Sequence, residues 1–363
     1  VPAAGEVRQF LGGKLAGGGG LFAAGNLGER FGTAVAARGK VVLVGAPEHD
    51  GGPELDGAGA VTLPDGTVLV GAAAQVAFGE RVALCADIEG DGGLDWVASA
   101  PFEAGLGGAV YRGEVDDEQS ALSALSRLRG SPGEGYGQAL SCGDDLVDDT
   151  GADVVVGVPY SAGRTGADAA GRVEVWSRAA FELGLPKRKL FGEGEGANPD
   201  ERFGTAVAAC NLDGDADLDL VVGAPGADAG AGRIYVFRGK GLRESLAIGA
   251  VMAPSQMLIG EAEDGHFGDA IGCGDLSGDG VDELFVGAPG ENAEDGTREI
   301  GALYAFAGPA DDWGTAATTN LAFASFRSDR AFLRVGDRFR IDDLDGDGVA
   351  DVMMVVRQRA PAE

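Results

Sequence analysis

The sequence predicts an all-β chain of four-stranded antiparallel blades closed into a β-propeller. Three observations carry this: a unit that recurs along the whole chain, period-two apolar runs inside each unit, and matching half-units at the two ends. Each unit opens on an aromatic-glycine pair, at Phe31-Gly32, Phe78-Gly79, Tyr136-Gly137, Phe203-Gly204 and Phe267-Gly268, with a worn copy at Phe339-Arg340. A small-residue run (strand A), an acidic loop and an apolar run (strand B) follow. The apolar run closes on Gly45-Ala46-Pro47, Ser99-Ala100-Pro101, Gly157-Val158-Pro159, Gly223-Ala224-Pro225 and Gly287-Ala288-Pro289.

Two more strands complete each unit. Gly171–Trp176, Gly232–Phe237 and Gly301–Phe306 alternate as half-buried strands do (strand C), with shorter versions at Gly59–Leu63 and Gly108–Tyr111. The fourth strands (strand D) are expected at Thr67–Val70, Leu125–Leu128, Arg188–Phe191, Gln256–Ile259 and Phe332–Val335. Proline after the second strand ends the ladder, and glycine is expected where backbones crowd together.

The ends read as two halves of one blade. Gly5–Phe10 matches a third strand, with a weak fourth at Lys14–Ala16, whereas the last unit stops after its second strand near Val356. One domain therefore spans 1–363: strands C and D of the closing blade over 1–30, blades over 31–77, 78–135, 136–202, 203–266 and 267–338, and strands A and B of the closing blade over 339–356. That makes six blades; a seventh has only 309–331 to occupy.

Composition sets the bounds. Glycine accounts for 65 of 363 residues, yet 45% of the chain is hydrophobic, enough for a sizeable core. A net charge of −30 excludes a nucleic-acid binder and opposes anionic membranes. Apolar runs stay short, as at Val41–Val44 and Val352–Val356, so no membrane span is expected. The chain opens at Val1-Pro2, consistent with a removed leader, and Ala360–Glu363 resembles the start of a linker.

The acids cluster between the first and second strands. Oxygen-bearing residues stand at positions 1, 3, 5 and 9 of nine-residue loops, with glycine usual at 4 and 6. The sets are Asp87, Glu89, Asp91, Gly93 and Asp95; Asn211, Asp213, Asp215, Asp217 and Asp219; Asp275, Ser277, Asp279, Val281 and Glu283; and Asp343, Asp345, Asp347, Val349 and Asp351. Position 7 (Gly93, Asp217, Val281, Val349) varies, as a backbone-carbonyl ligand permits. Several carboxylates in one short loop repel, and a hard divalent cation with six to eight oxygen ligands relieves the repulsion. Ca²⁺ suits a flexible all-oxygen cage better than Mg²⁺, and the lack of Cys or His at these positions disfavours Zn²⁺. Four Ca²⁺ are expected, and a fifth if the degraded loop with Asp145, Asp149 and Asp153 binds; there Val147 holds position 3. Arg38-Gly39-Lys40 replaces the loop in the first unit and should bind nothing.

The aromatic-glycine opening, the Asp-x-Asp-x-Asp-Gly-x-x-Asp loop and the Gly-Ala-Pro ending together resemble FG-GAP repeats, which build the N-terminal propeller of integrin α subunits. The resemblance covers almost the whole chain. It implies calcium loops on one face and ligand recognition on the other, formed by B–C and D–A loops. Here those B–C loops carry His49, Phe102, Tyr160, Arg164, Glu291 and Arg298. An exposed aromatic beside arginine suits a sugar or a carboxylate. The chain departs from integrins in blade number and in lacking Arg-Gly-Asp and an inserted adhesion domain. The implied role is a secreted or cell-surface adhesion and recognition module for an extracellular protein or glycan.

Cys85, Cys142, Cys210 and Cys273 each end a strand A, just before an acidic loop. Two readings stand: small buried thiols, or disulfides Cys85–Cys142 and Cys210–Cys273 between neighbouring units, which need Cα atoms within ~7 Å. Catalysis finds little support. The chain has two histidines; His266 replaces the arginine found before Phe-Gly at Arg30 and Arg202, and His49 has no evident nucleophile. No Gly-x-Ser-x-Gly or Walker loop occurs. A carbohydrate-active enzyme and a structural subunit of an extracellular assembly are the alternatives.

Overall fold

The computed structural model describes residues 4–9, 20–38, 41–115, 125–143, 145–147, 151–163, 166, 168–186, 188–190, 199–215, 217–244, 250–308, 310–343 and 347–354. The expected strand at Lys14–Ala16 lies outside them. The chain divides into two compact units, one of Val1–Asp145, Asp149–Val158 and Val175–Leu185, the other of Leu146–Asp148, Pro159–Glu174 and Pro186–Glu363.

In the first unit, Ala34–Arg38, Val41–Ala46, Ala60–Thr62 and Val68–Val70 make one four-stranded antiparallel sheet. Val82–Cys85, Asp95–Ala100, Ala109–Glu114 and Ser126–Arg129 make the next. Ala139–Gly143 and Asp153–Val158 pair in the same way. At the N-terminal end, Ala4–Gln9 pairs with Gly20–Leu27 as a two-stranded sheet.

The second unit repeats the pattern with Ala206–Cys210, Asp219–Ala224, Arg233–Phe237 and Gln256–Ile259, then with Ala270–Gly274, Glu283–Ala288, Ala302–Phe306 and Ala324–Arg327. Phe339–Asp342 and Asp351–Met354 form a two-stranded sheet. Two short strands are additions that the repeat did not predict. Ala250–Met252 joins Arg188–Leu190 in parallel, and Ala316–Thr318 joins Gln256–Ile259 in parallel. Both come from long connections after a third strand, so residues within 309–331 cover the outer edge of the preceding sheet and blunt an exposed ladder.

Two boundaries move. The fourth strand of the fifth repeat is Ala324–Arg327, not Phe332–Val335. The sixth repeat opens on Val335-Gly336, not Phe339-Arg340, because Val335 makes the parallel bridge to Gly301 that Phe78, Phe203 and Phe267 make to Gly59, Gly171 and Gly232. The residue before each opening pair is left-handed, with φ of 51° at Arg30, 54° at Ala77, 55° at Arg202, 56° at His266 and 50° at Arg334. An aliphatic residue fills the aromatic's place, which hid the register.

The second strand is the core of the sheets in the first five repeats, while the sixth repeat's Asp351–Met354 stays half-buried to exposed. Asp95–Ala100, Asp153–Val158, Asp219–Ala224 and Glu283–Ala288 are buried along their whole length. Apolar clusters gather on them: Val97, Val154 and Val156 with Tyr136 and Trp176 in the first unit, and Val221, Val286, Phe267 and Phe306 in the second. The opening aromatics Phe78, Tyr136, Phe203 and Phe267 are fully enclosed, and Phe78 meets Tyr111 edge-on at 5.3 Å.

Glycine is dictated where successive repeats touch. The N–H of Gly268 donates to the Gly287 oxygen at 2.9 Å, while a Cβ on Gly223 would overlap the Gly268 carbonyl. The same overlap recurs for Gly45 on Gly79 and for Gly287 on Gly336. Gly223→Ala and Gly287→Ala are each expected to cost about 1–3 kcal/mol through forced backbone separation, read as a lower urea midpoint at unchanged m; an unchanged midpoint would contradict the contact.

Disulfides join Cys85 to Cys142 and Cys210 to Cys273, with Cα atoms 5.3 and 6.0 Å apart. Their sequence separations of 57 and 63 residues correspond to about 4 kcal/mol each in the chain-entropy account. Thiol titration of the denatured, unreduced protein should find no free thiol, and reduction should lower the melting temperature.

Candidate functional site

Each acidic loop hangs from the buried second strand. Position 9 is that strand's first residue; it is buried at Asp95, Asp153, Asp219 and Glu283 and half-buried at Asp351. Position 2 is apolar, and Ile88, Leu146 and Leu212 are fully buried. This apolar position was missed from sequence, although Ile88, Leu146, Leu212, Leu276 and Leu344 stand there in register between the acids. It roots the loop, and the carboxylate at position 9 then binds the backbone N–H at position 2. Ile88 N donates to Asp95 Oδ2 at 2.6 Å, and Leu276 N to Glu283 Oε2 at 2.7 Å.

Position 1 organises the turn. Asp87 accepts from the N–H groups of Gly90, Asp91 (3.0 Å) and Gly92 (2.7 Å). Asp275 accepts from Gly278 at 2.6 Å, Asp279 at 3.2 Å and Gly280 at 2.7 Å. Asp343 does the same for Asp347 at 3.1 Å and Gly348 at 2.9 Å. Position 5 then accepts from position 7: Asp91 from Gly93, Asp279 from Val281 and Asp347 from Val349, all at 2.8–2.9 Å. The Gly280 N–H, followed by those of Gly278 and Asp279, holds the Asp275 carboxyl below its usual range. At Asp87 burial pushes upward, but the Gly92, Gly90 and Asp91 N–H groups outweigh it and the carboxyl is lowered.

Position 9 behaves oppositely. Burial pushes the Asp95 carboxyl up to about 6, and Asp219 likewise to about 6. Asp95 Oδ1 is buried with no hydrogen-bond partner. A buried carboxylate oxygen without a donor is costly unless a cation meets it. With only oxygen ligands in the loop, that cation is a hard one, so the donor set fits Ca²⁺.

The four loops are not equivalent. In the fourth unit arginines enter the acidic cluster: Arg238 Nη1 lies 2.8 Å from Asp219 Oδ2 and 3.3 Å from Asp213 Oδ2, and Arg243 Nε lies 2.7 Å from Asp217 Oδ1. In the second repeat Glu89 is drawn to Arg112 at 2.9 Å. The fifth loop supports the fourth, with Asn211 N donating to Asp282 at 2.8 Å and Asn211 Nδ2 to the Gly280 oxygen at 2.8 Å. Asp345, Asp149, Gly39 and Lys40 fall outside the described residues.

The expected ligand loops are mixed. Phe102 and Tyr160 are exposed at 43% and 47%. His49 Nδ1 faces Glu29 Oε1 at 3.0 Å, which ties the ring down. Glu291 is buried against Tyr304 and Arg327, and Arg298 is exposed. Arg164 lies outside the described residues. His266 Nδ1 meets the Pro225 oxygen at 3.2 Å, a local backbone contact.

The FG-GAP repeat family model matches residues 203–237 and 267–306, two whole A-to-C segments with their acidic loops. The chain carries FG-GAP repeats. These FG-GAP repeats are similar to integrin alpha-7 of Homo sapiens, 30% identical over 243 residues, 64% of this chain and 19% of that protein. Integrin alpha-7 of Rattus norvegicus is 32% identical over 206 residues, 55% of this chain and 17% of that one. Phosphatidylinositol-glycan-specific phospholipase D of Homo sapiens is 29% identical over 161 residues, 43% of this chain and 19% of that protein. The chain thus spans less than a fifth of each of these relatives. A rhamnogalacturonan lyase structure, YesW, overlays at a TM-score of 0.37 with 13% identity over 82% of this chain and 57% of that chain, too slight a likeness to bear on function. The repeats, the four-stranded antiparallel sheets and the integrin alpha relatives make this FG-GAP chain an all-β protein of the propeller class.

The raised carboxyl of Asp95 has a definite pH consequence in metal-free protein. Its folded value of about 6 lies above the ordinary 3.8, so the folded state binds the extra proton between those values. Stability relative to Asp95→Asn should therefore fall as pH rises from about 4 to 6 and stay level above. Parallel urea melts of the two proteins in EGTA check this; a difference independent of pH would contradict the burial.

Proposed function

We propose that this FG-GAP propeller is a calcium-braced recognition module acting outside the cell or on its surface, and that it performs no chemistry of its own. The observation that carries the reading is the partnerless buried Asp95 Oδ1 beneath a loop of oxygen ligands; the sequence pattern of that loop, though not the unmet oxygen, recurs in register in the fourth, fifth and sixth repeats. Calcium would be held by the side chains at positions 1, 3, 5 and 9 and the carbonyl at position 7. Bound there, it neutralises the clustered carboxylates and turns metal affinity into folding free energy. Asp145 and Asp153 would supply a weaker fifth site.

The two disulfides fit an oxidising compartment. No helix among the described residues is long and apolar enough to cross a membrane. Integrin relatives point to an extracellular ligand, and the B–C loops with exposed Phe102 and Tyr160 are the proposed contact region. Six blades, with the N- and C-terminal strand pairs as complementary halves of one, complete the proposal.

Chelation tests the brace. A site held at 100-fold over its Kd adds about 2.7 kcal/mol, four add about 11 kcal/mol, and each kcal/mol is worth about 1–2 °C in a chain this long. Excess EGTA should therefore lower the melting temperature by roughly 10 °C or more; an unchanged melt would remove the calcium reading. Arg238 and Arg243 already neutralise the fourth loop, so Asp279→Ala should erase more of the calcium-dependent shift than Asp215→Ala. Equal losses would place no cation role on those arginines. A surface-protein and glycan array, run with and without calcium, tests recognition directly.

A further inference from the structure

The connection between Ala302–Phe306 and Ala324–Arg327 is where the second unit departs most from the repeat. After its borrowed strand Ala316–Thr318 comes a single 3-10 turn, Thr319–Leu321. This segment borders a cavity of about 500 Å³, within the ~300–1,000 Å³ of small-molecule sites.

The cavity wall is built from polar groups that hold one another. Glu291, with its side chain 7% exposed, accepts the Tyr304 hydroxyl at 2.5 Å and lies 3.4 Å from the Arg327 guanidinium. Arg327 Nη2 donates to the Tyr304 oxygen at 2.7 Å, and its guanidinium carbon lies 5.1 Å from the Tyr304 ring centroid. Opposite, Glu261 accepts from the Thr319 hydroxyl at 2.5 Å and from Asn320 Nδ2 at 2.9 Å. The wall is therefore positioned before any ligand arrives.

A similar trio, Glu103, Tyr111 and Arg129, stands in the first unit. Taken alone it is a way to pack a buried glutamate. Glu261 at the end of the fourth repeat, together with the Thr319–Asn320 turn and Phe323 of the fifth, is what this site adds. Phe323 is bound through its backbone N–H to the Ala305 oxygen at 2.9 Å, yet the residue is 58% exposed on the cavity wall. An exposed phenylalanine lining the same cavity as two carboxylates, an amide and a guanidinium matches one chemistry. A pyranose puts its C–H face on the ring, while its hydroxyls donate to carboxylate lone pairs and accept from N–H groups. Two carboxylates against one guanidinium, in a chain of net charge −30, repel acidic sugars.

We infer that the cavity between Glu261, Glu291 and Phe323 is a binding subsite for a neutral sugar residue. The inference rests on the recognition reading above and names a ligand class and the residues that hold it. The probes are methyl α-mannoside, methyl β-galactoside and N-acetylglucosamine, with glucuronate as the acidic control, observed by saturation-transfer NMR on the full chain in calcium. Transfer is expected to at least one neutral sugar and not to glucuronate. Phe323→Ala and Glu261→Gln should each weaken it by about tenfold or more, with Phe323→Ala melting at the parent temperature because its ring is exposed. No transfer to any neutral sugar, equal transfer to glucuronate, or transfer unchanged in both variants would overturn the inference. Array binding to a surface protein that survives Phe323→Ala, without sugar transfer, would overturn the sugar subsite alone and leave the recognition reading intact. Silence on both array and sugars would remove both.

Discussion

Two backbones pass in direct contact at three handovers from one repeat to the next. The glycine closing a second strand lies against the carbonyl of the glycine opening the following repeat, at Gly45 on Gly79, Gly223 on Gly268 and Gly287 on Gly336. Neither partner has room for a side chain, so successive sheets are set at a separation that only glycine allows. The enclosed aromatic beside that glycine then fills the wedge where the sheets diverge. Six of the chain's 65 glycines serve these three contacts, and others serve the turns of the acidic loops.

The same handover positions the acidic loops. Because the second strand is buried from end to end, its first residue is a carboxylate already out of water, and the loop above it must supply donors or a cation. Backbone N–H groups answer at position 1, and at position 9 the supply runs short. Asp95 is left with an oxygen that nothing meets, while Asp219 has recruited Arg238 and the Gly239 N–H. Loops of one sequence pattern thus differ: the fourth brings an internal guanidinium to its buried carboxylate, and the second leaves one oxygen unmet. The chain resembles integrin alpha-7 over its FG-GAP repeats, and its long third-to-fourth strand connections are where it differs from its own repeat.

Much was legible beforehand because it is periodic. The aromatic-glycine pairs, the Gly-Ala-Pro endings, the loop positions and the alternating third strands recur at equivalent places, so each copy supports the others. Legibility failed where the copy was worn or inserted. Val335-Gly336 escaped notice because valine replaced the aromatic, and its register rests on a left-handed Arg334 and a bridge to Gly301 that no residue type announces. The fourth strand Ala324–Arg327 was displaced by an insertion, and the parallel strands Ala250–Met252 and Ala316–Thr318 pair across sequence gaps with no local signal.

The sequence by itself determined the strand-rich repeat, the oxygen ligand pattern and the alignment of four cysteines, since all three are properties of residue type at fixed spacing. Tertiary structure alone decided which carboxylates lie buried, which are met by Arg238, Arg243 or Arg112, and that the cysteines are bonded in neighbouring pairs. It alone brought Glu261, Glu291 and Phe323 to one cavity. The reason is distance along the chain: charge and spacing act within a loop, whereas burial, ion pairing and cavities arise from segments tens of residues apart that meet only when sheets pack.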